Sequence, residues 1–135
     1  MFDTSMIEAR LLDEVEGLAS VEGAADFASV TDLRSFRPGT AYVVLVREKG
    51  TSDTARHTHQ VRATFGVIVV ARNYSRHRSA AVDAARPLVR SVRQALRDWR
   101  PATDIMSPIW VEGDVMDYDQ STLLWCDVFQ VQYFE

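Results

Sequence analysis

Cysteine is nearly missing from this chain, with Cys126 alone among 135 residues. A single thiol excludes an internal disulfide and any zinc site built from several thiolates. It lies in an apolar run, which favours a buried, inert thiol. Lysine is as scarce, since Lys49 is the only one among fifteen basic residues. Long hydrophobic runs are absent too, and nothing approaches the roughly 20 apolar residues that span a bilayer. The first residues, Met1-Phe2-Asp3-Thr4-Ser5, carry neither the basic nor the apolar region of a secretory leader. The expectation is a soluble chain, made and kept in the cytosol, with no membrane partner.

Motifs of chemistry are wanting as well. All six glycines are isolated, so there is no glycine-rich phosphate loop or dinucleotide fingerprint, and no nucleophile elbow accompanies the serines. His57 and His59 would share one face of a strand, but no third or fourth ligand follows at zinc spacing. Solvated loop histidines are the simpler reading, and His77 lies in a basic turn without a local partner. Asp117 and Asp119 resemble the start of a calcium loop that lacks its glycine and its distal glutamate. Turn-capping aspartates explain them. No catalytic residue, metal site or cofactor is expected, and the chain reads as a non-enzyme.

The composition that remains is ordinary for a globular protein, and the length suits one domain covering residues 1–135. Its charge is segregated. Residues 1–32 hold eight acids and one base, residues 33–100 fourteen bases and four acids, and residues 101–135 seven acids and no base. Fourteen of the fifteen bases are arginine, the residue suited to planar, bidentate pairing. Either the acidic ends fold back over the basic middle, or identical subunits pair through opposite patches.

Element signals are strong in places. Ser5 and Glu8 fit a capping box, followed by the apolar stripe Ile7, Leu11, Val15 and Leu18. Residues 21–27 suggest a short strand or turn, then a helical piece to about Val30. Arg37-Pro38-Gly39 is a turn, and Ala41–Val46 is a strand. Residues 48–60 are polar and aperiodic, and read as a long loop or flexible arm containing Gly50, Asp53, Arg56, His57 and His59. In the strand Val61–Arg72, Val61, Ala63, Phe65, Val67 and Val69 face one way. The opposite set turns apolar towards the end, which suits a central strand buried on both faces. A closing hairpin spans Pro108–Met116 and Thr122–Phe134, with a turn at 117–121. In its second strand Leu123, Trp125, Phe129, Val131 and Tyr133 alternate with Leu124, Cys126, Val128, Gln130 and Gln132. The fold class is α+β: a mainly antiparallel sheet of about four strands built from two hairpins, with a long helix and an N-terminal helix packed on it.

The long helix, about Ser79 to Arg100, is the most informative stretch. Val82, Ala85, Val89, Val92, Leu96 and Trp99 form one apolar face. Arg86, Arg90, Arg93, Arg97 and Arg100 recur at the same spacings one step out of phase, so they flank the buried face. Pro87 implies a kink, or a start nearer Ala84, and Arg100-Pro101 ends the helix. Guanidinium groups on the border of a buried surface gain strength against carboxylates, which makes these five arginines candidate subunit-interface residues. Two other readings stand beside this one. The arginine stems could simply cover the core rim, or the row could serve a small nucleic-acid-binding or regulatory domain. The acidic total and the lack of lysine weigh against specific nucleic-acid binding.

Three stretches resemble the tail terminator proteins of long-tailed bacteriophages, in particular the group from Mu-like phages and related prophages. They are Phe65-Gly66-Val67-Ile68-Val69-Val70-Ala71-Arg72-Asn73, the helical Ala84–Arg90 with Leu96–Pro101, and Gly113–Asp119 followed by Leu123–Phe129. The resemblance covers nearly the whole chain. It implies a small α+β subunit of the virion tail, assembled in the bacterial cytoplasm into a six-membered ring on the finished tail tube. That ring would halt polymerisation of the tube protein and offer the head-connector protein a docking surface. Another connector or tail-completion subunit is the alternative within the same class. An acidic lumen would let DNA pass without sticking.

Overall fold

The computed structural model describes residues 1–51, 59–72 and 78–135, with the backbone alone for residues 78–81. Its elements follow the chain as α1 (Ser5–Glu14), β1 (Ser20–Gly23), α2 (Ala24–Ser29), a 3-10 turn (Leu33–Ser35), β2 (Thr40–Thr51), β3 (Gln60–Arg72), α3 (Arg78–Leu96), β4 (Ile109–Tyr118) and β5 (Thr122–Phe134). The strands form one sheet in the order β1-β2-β3-β5-β4.

β3 is the middle strand, and its alternation sets the two layers. Val61, Ala63, Phe65, Val67 and Val69 enter the main core with Ile7, Leu11 and Val15 from the α1 region and Val92 and Leu96 from α3. Phe65 is sandwiched between Phe2 and Phe129, with ring centroids 6.0 and 5.5 Å away. On the other face Ile68 and Val70 join Phe36, Tyr42 and Leu124, beneath Phe27, Val30 and Leu33 from the α2 region and the 3-10 turn. β2, β3, β5 and β4 pair antiparallel in that order, as two hairpins require.

The sheet has a fifth strand beyond the four expected. β1 pairs parallel to β2, with Ser20 opposite Thr40 and Gly23 opposite Val43, so the sheet is mixed. A four-residue strand with Val21 as its only large apolar residue gives almost no alternation to detect. Its pairing comes from the edge that β2 offers, and the intervening α2 supplies the crossover that parallel neighbours need.

Several local expectations change. The capping box does not form. Thr4 precedes the first turn without a side-chain cap, and Asp3 accepts from the Ser5 backbone N–H at 3.0 Å instead. Residues 48–51 and 60 are strand residues, since Glu48 lies opposite Ala63 and Thr51 opposite Gln60. Polar strands on the open side of a sheet carry no apolar period, which is why this stretch resembles a loop. α3 already begins at Arg78 and continues through Pro87, so the start nearer Ala84 is not taken. It ends at Leu96, before the expected Arg100, and Asp98 takes a left-handed φ of 54°. Aspartate is among the few residues that tolerate that region. Gly39, in the expected turn, has φ 77°, a conformation open mainly to glycine.

Candidate assembly interface

The apolar stripe of α3 lands on β3 and β5 through Ala85, Val89, Val92 and Leu96, all buried. That placement turns the side of α3 carrying Arg86, Arg90 and Arg93 towards β4, and between the two elements lies a groove of about 930 Å³. Val82, Val89, Trp110 and Val111 form its apolar surface, and Arg86, Arg90, Arg93 and Arg97 its cationic one.

A single buried carboxylate organises the floor. Asp127 lies on β5, on the same face as Phe129 and Val131, and is 1% exposed. It accepts both Arg93 Nε at 2.7 Å and Arg93 Nη2 at 2.8 Å, the planar fork that strengthens an ion pair. The same Oδ1 accepts Trp125 Nε1 at 2.8 Å and Trp110 Nε1 at 3.2 Å. The Arg93 guanidinium also stacks on the Trp110 ring, 4.4 Å from its centroid, a favourable cation–π contact. The Asp127 hydrogen bonds push the Arg93 pKa up, against an opposing desolvation. One residue from α3, one from β4 and two from β5 are thus tied at one point.

Gly113 makes that junction possible. It pairs with Asp127 across β4 and β5. A Cβ there would run into Asp127 Oδ1, with Trp125 Cζ2 at 2.8 Å and Arg93 Nη2 at 3.0 Å. The position requires glycine because the backbone closely approaches a charged cluster.

The five candidate arginines separate into distinct environments. Arg93 is turned inward and neutralised within its own chain. Arg86 pairs with Asp83 at 3.1 Å, with both side chains well exposed, an arrangement worth little in water. Arg90 and Arg97 line the groove, and Arg100 lies beyond the end of α3. The side chains of Arg90, Arg97 and Arg100 make no hydrogen bond or ion pair among the described residues. Of the arm residues, Gly50 is in β2 opposite Val61, and His59 exchanges backbone hydrogen bonds with Glu135 at 2.6 and 2.8 Å. Gly50 belongs to the sheet, and His59 immediately precedes β3. Asp53, Arg56 and His57 lie outside the described residues, as does His77.

β4 forms the outer wall of the groove and is exposed on both faces. Ile109 is 66% exposed, and Trp110, Val111, Met116 and Tyr118 are all exposed. Register shifts fall between Trp110 and Glu112 and between Val115 and Asp117, making Val111 and Met116 the extra residues of two bulges. Bulges of this kind twist an edge and re-aim its side chains.

Other candidate chemistry resolves into structure. Asp119 accepts the Ser121 and Thr122 backbone N–H groups at 2.8 and 2.7 Å, and those bonds hold its pKa below the usual carboxylate value. Asp117 accepts from the Tyr118 N–H at 2.8 Å. Asp119 caps the turn as expected, whereas Asp117 lies inside β4 opposite Leu124, so the strand runs on to Tyr118 and the turn is shorter than the expected 117–121. Cys126 is half-buried, less covered than its apolar run suggests, and burial raises its pKa further from reactivity. Among the described residues no three His, Cys, Asp or Glu side chains are placed to hold a metal ion, and no helix is long and apolar enough to cross a membrane.

The sequence signal for the floor lay in the phase of β5. Asp127 falls between Trp125 and Phe129, so a carboxylate interrupts an apolar face at the level of the arginine row. A charged residue in that phase implies a buried partner.

The whole chain, residues 1–135, matches the family model described as phage tail terminator protein. No curated protein is significantly similar to it in sequence. Among solved structures, a chain from the virion of a native gene transfer agent (GTA) particle superposes with a TM-score of 0.59. It is 14% identical, and the match covers 98% of this chain and 94% of that one. At that identity the likeness is one of fold alone. The chain belongs to the phage tail terminator family and is a structural protein of the phage tail.

Proposed function

We propose that six copies of this chain, each a single terminator domain, close into a ring on the finished tail tube. The ring ends addition of tube protein and presents the surface on which the head connector docks. It forms in the host cytoplasm, uses no cofactor, performs no catalysis, and lets DNA through its lumen without sequence-specific contacts.

The observation that carries this reading is the α3–β4 groove. An apolar channel flanked by Arg90 and Arg97, whose side chains have no ion-pair partner among the described residues, beside an edge strand exposed on both faces, is a surface that a solitary soluble protein seldom leaves open. Ring closure needs a heterologous interface made from two different patches on each subunit. The groove provides one such patch. Charge segregation along the chain disfavours incorrect registers by like-charge repulsion.

Native mass and negative-stain imaging across protein concentration, with and without purified tail tubes, test the proposal. The expected result is a hexameric mass and rings seated on tube ends. A particle that stays solitary at every concentration and ignores tubes overturns it. Steeply salt-dependent duplex binding in the same preparation would instead support the nucleic-acid reading of the arginine row.

A further inference from the structure

We infer that the α3–β4 groove of each subunit receives the acidic outer flank of α1 from a second copy of the same chain. This inference rests on the ring reading above and supplies the contact that closes the ring.

The two flanks of α1 differ. Towards α3, Arg10 donates from Nε to the Ala95 carbonyl at 2.9 Å, and its guanidinium lies 5.1 Å from the centroid of the Trp99 ring. That side is closed within the subunit. At 3.6 residues per turn, Glu8 and Leu12 lie on the opposite side, Leu12 is 54% exposed, and the exposed Glu16 follows in the turn just beyond the end of α1. Glu8 reaches the Gly23 end of β1. There burial, together with Asp26 and Asp3, raises its pKa. Neither Glu8 nor Glu16 has a cationic partner among the described residues. The flank is therefore an apolar residue set among unneutralised carboxylates.

The groove is its inverse, with Val82, Val89 and Val111 set among Arg90 and Arg97. Position also fits. α1 packs on β1 and β2, α3 packs on β3 and β5, and β1 and β4 are opposite edges of the sheet. The acidic flank and the cationic groove thus lie at opposite lateral ends of one helical layer. Copies joined flank to groove repeat head to tail, the arrangement that yields a closed ring when the rotation per copy suits. Carboxylates entering the groove would neutralise the exposed Arg90 and Arg97 guanidinium groups, and the exclusion of water as the contact closes would strengthen that pairing.

Reciprocal charge reversal provides the test. One variant carries Glu8→Lys and Glu16→Lys, and the other carries Arg90→Glu and Arg97→Glu. Glu16, Arg90 and Arg97 are exposed or half-exposed, and Glu8 faces only acids, so thermal melts should show both subunits folded. Each variant alone has a flank and groove of like sign, and its assembled fraction should fall about tenfold or more. Mixed in equal amounts, they have complementary flanks and grooves in both directions, so alternating rings should return. If wild-type rings form and the Glu8/Glu16 variant still assembles alone, this contact is wrong while the ring reading stands. If both variants are folded and fail alone, and the mixture also fails, the flank and groove do not meet. If the wild type itself never forms rings, the ring reading falls and takes this contact with it.

Discussion

β3 and β4 both pair with β5, one on each side, yet they occupy opposite extremes of the same sheet. From Ala63 to Ala71, β3 is buried without interruption, whereas β4 has no fully buried residue. β3 uses its apolar side chains within the subunit. β4 leaves Ile109, Val111, Met116 and Tyr118 exposed, and Trp110 as well, although its indole N–H reaches in to Asp127. The contrast separates two uses of apolar surface: β3 holds the fold, and β4 keeps an exposed apolar edge that the proposed ring would cover.

Paired substitutions can break that contrast. Phe65→Ala removes a fully buried ring stacked between Phe2 and Phe129. It should cost about 3–5 kcal/mol, the range for emptying an aromatic core site, and assembly should be lost because the subunit unfolds. Val111→Asp places a charge on an exposed bulge residue. It should change stability by no more than about 0.5 kcal/mol while abolishing rings. Denaturant unfolding of both variants, followed by native mass, checks the pair. A Val111→Asp protein as unstable as the Phe65→Ala protein would show that β4 belongs to the fold as fully as β3 does.

Asp127 lies on the boundary between these regimes, and its removal should come next in size. Asp127→Ala strands the Arg93 guanidinium and two indole N–H groups. Losing one partner of a buried pair costs about 3–5 kcal/mol, and the one-third exposure of Arg93 places the expected loss at the lower end, roughly 3 kcal/mol. Asp127→Asn keeps an acceptor and should lose less. Unfolding curves for the two variants check the order. Equal losses would mean that the charge of Asp127 contributes nothing.

The same contrast decided what the sequence disclosed. β3 and β5 were legible because their alternation is answered by burial, and the apolar stripe of α3 was legible for the same reason. The arginine row was visible, but not its division. Arg93 turns inward only because Asp127, 34 residues later, meets it, and long-range pairing leaves no local period. β1 was invisible as a sheet partner because four residues hold no pattern of their own. The apolar residues of β4 look like core in the sequence, since exposure is set by position at the sheet edge and not by residue type. Gly113 looks like any isolated strand glycine until the Asp127 cluster beside it is known.

The smallest expected effect falls on the flank opposite β4, and there the sign matters more than the size. Burial, Asp26 and Asp3 raise the Glu8 pKa above its ordinary value of 4.5, so the folded subunit holds that proton more tightly than the unfolded chain does. Stability is then lost as pH rises through the window between 4.5 and the raised value, and the full penalty stands at neutral pH. Glu8→Gln removes the ionisation. The isolated subunit should become slightly more stable than wild type at pH 7, and the difference should vanish below pH 4.5. Assembly should move in the opposite direction, because a groove lined by Arg90 and Arg97 would favour an ionised Glu8, and glutamine forfeits that attraction. Thermal melts of dilute subunit across pH, set beside ring formation at pH 7, separate the two effects. A variant that gains both subunit stability and ring yield would show that Glu8 meets no cation in the assembly.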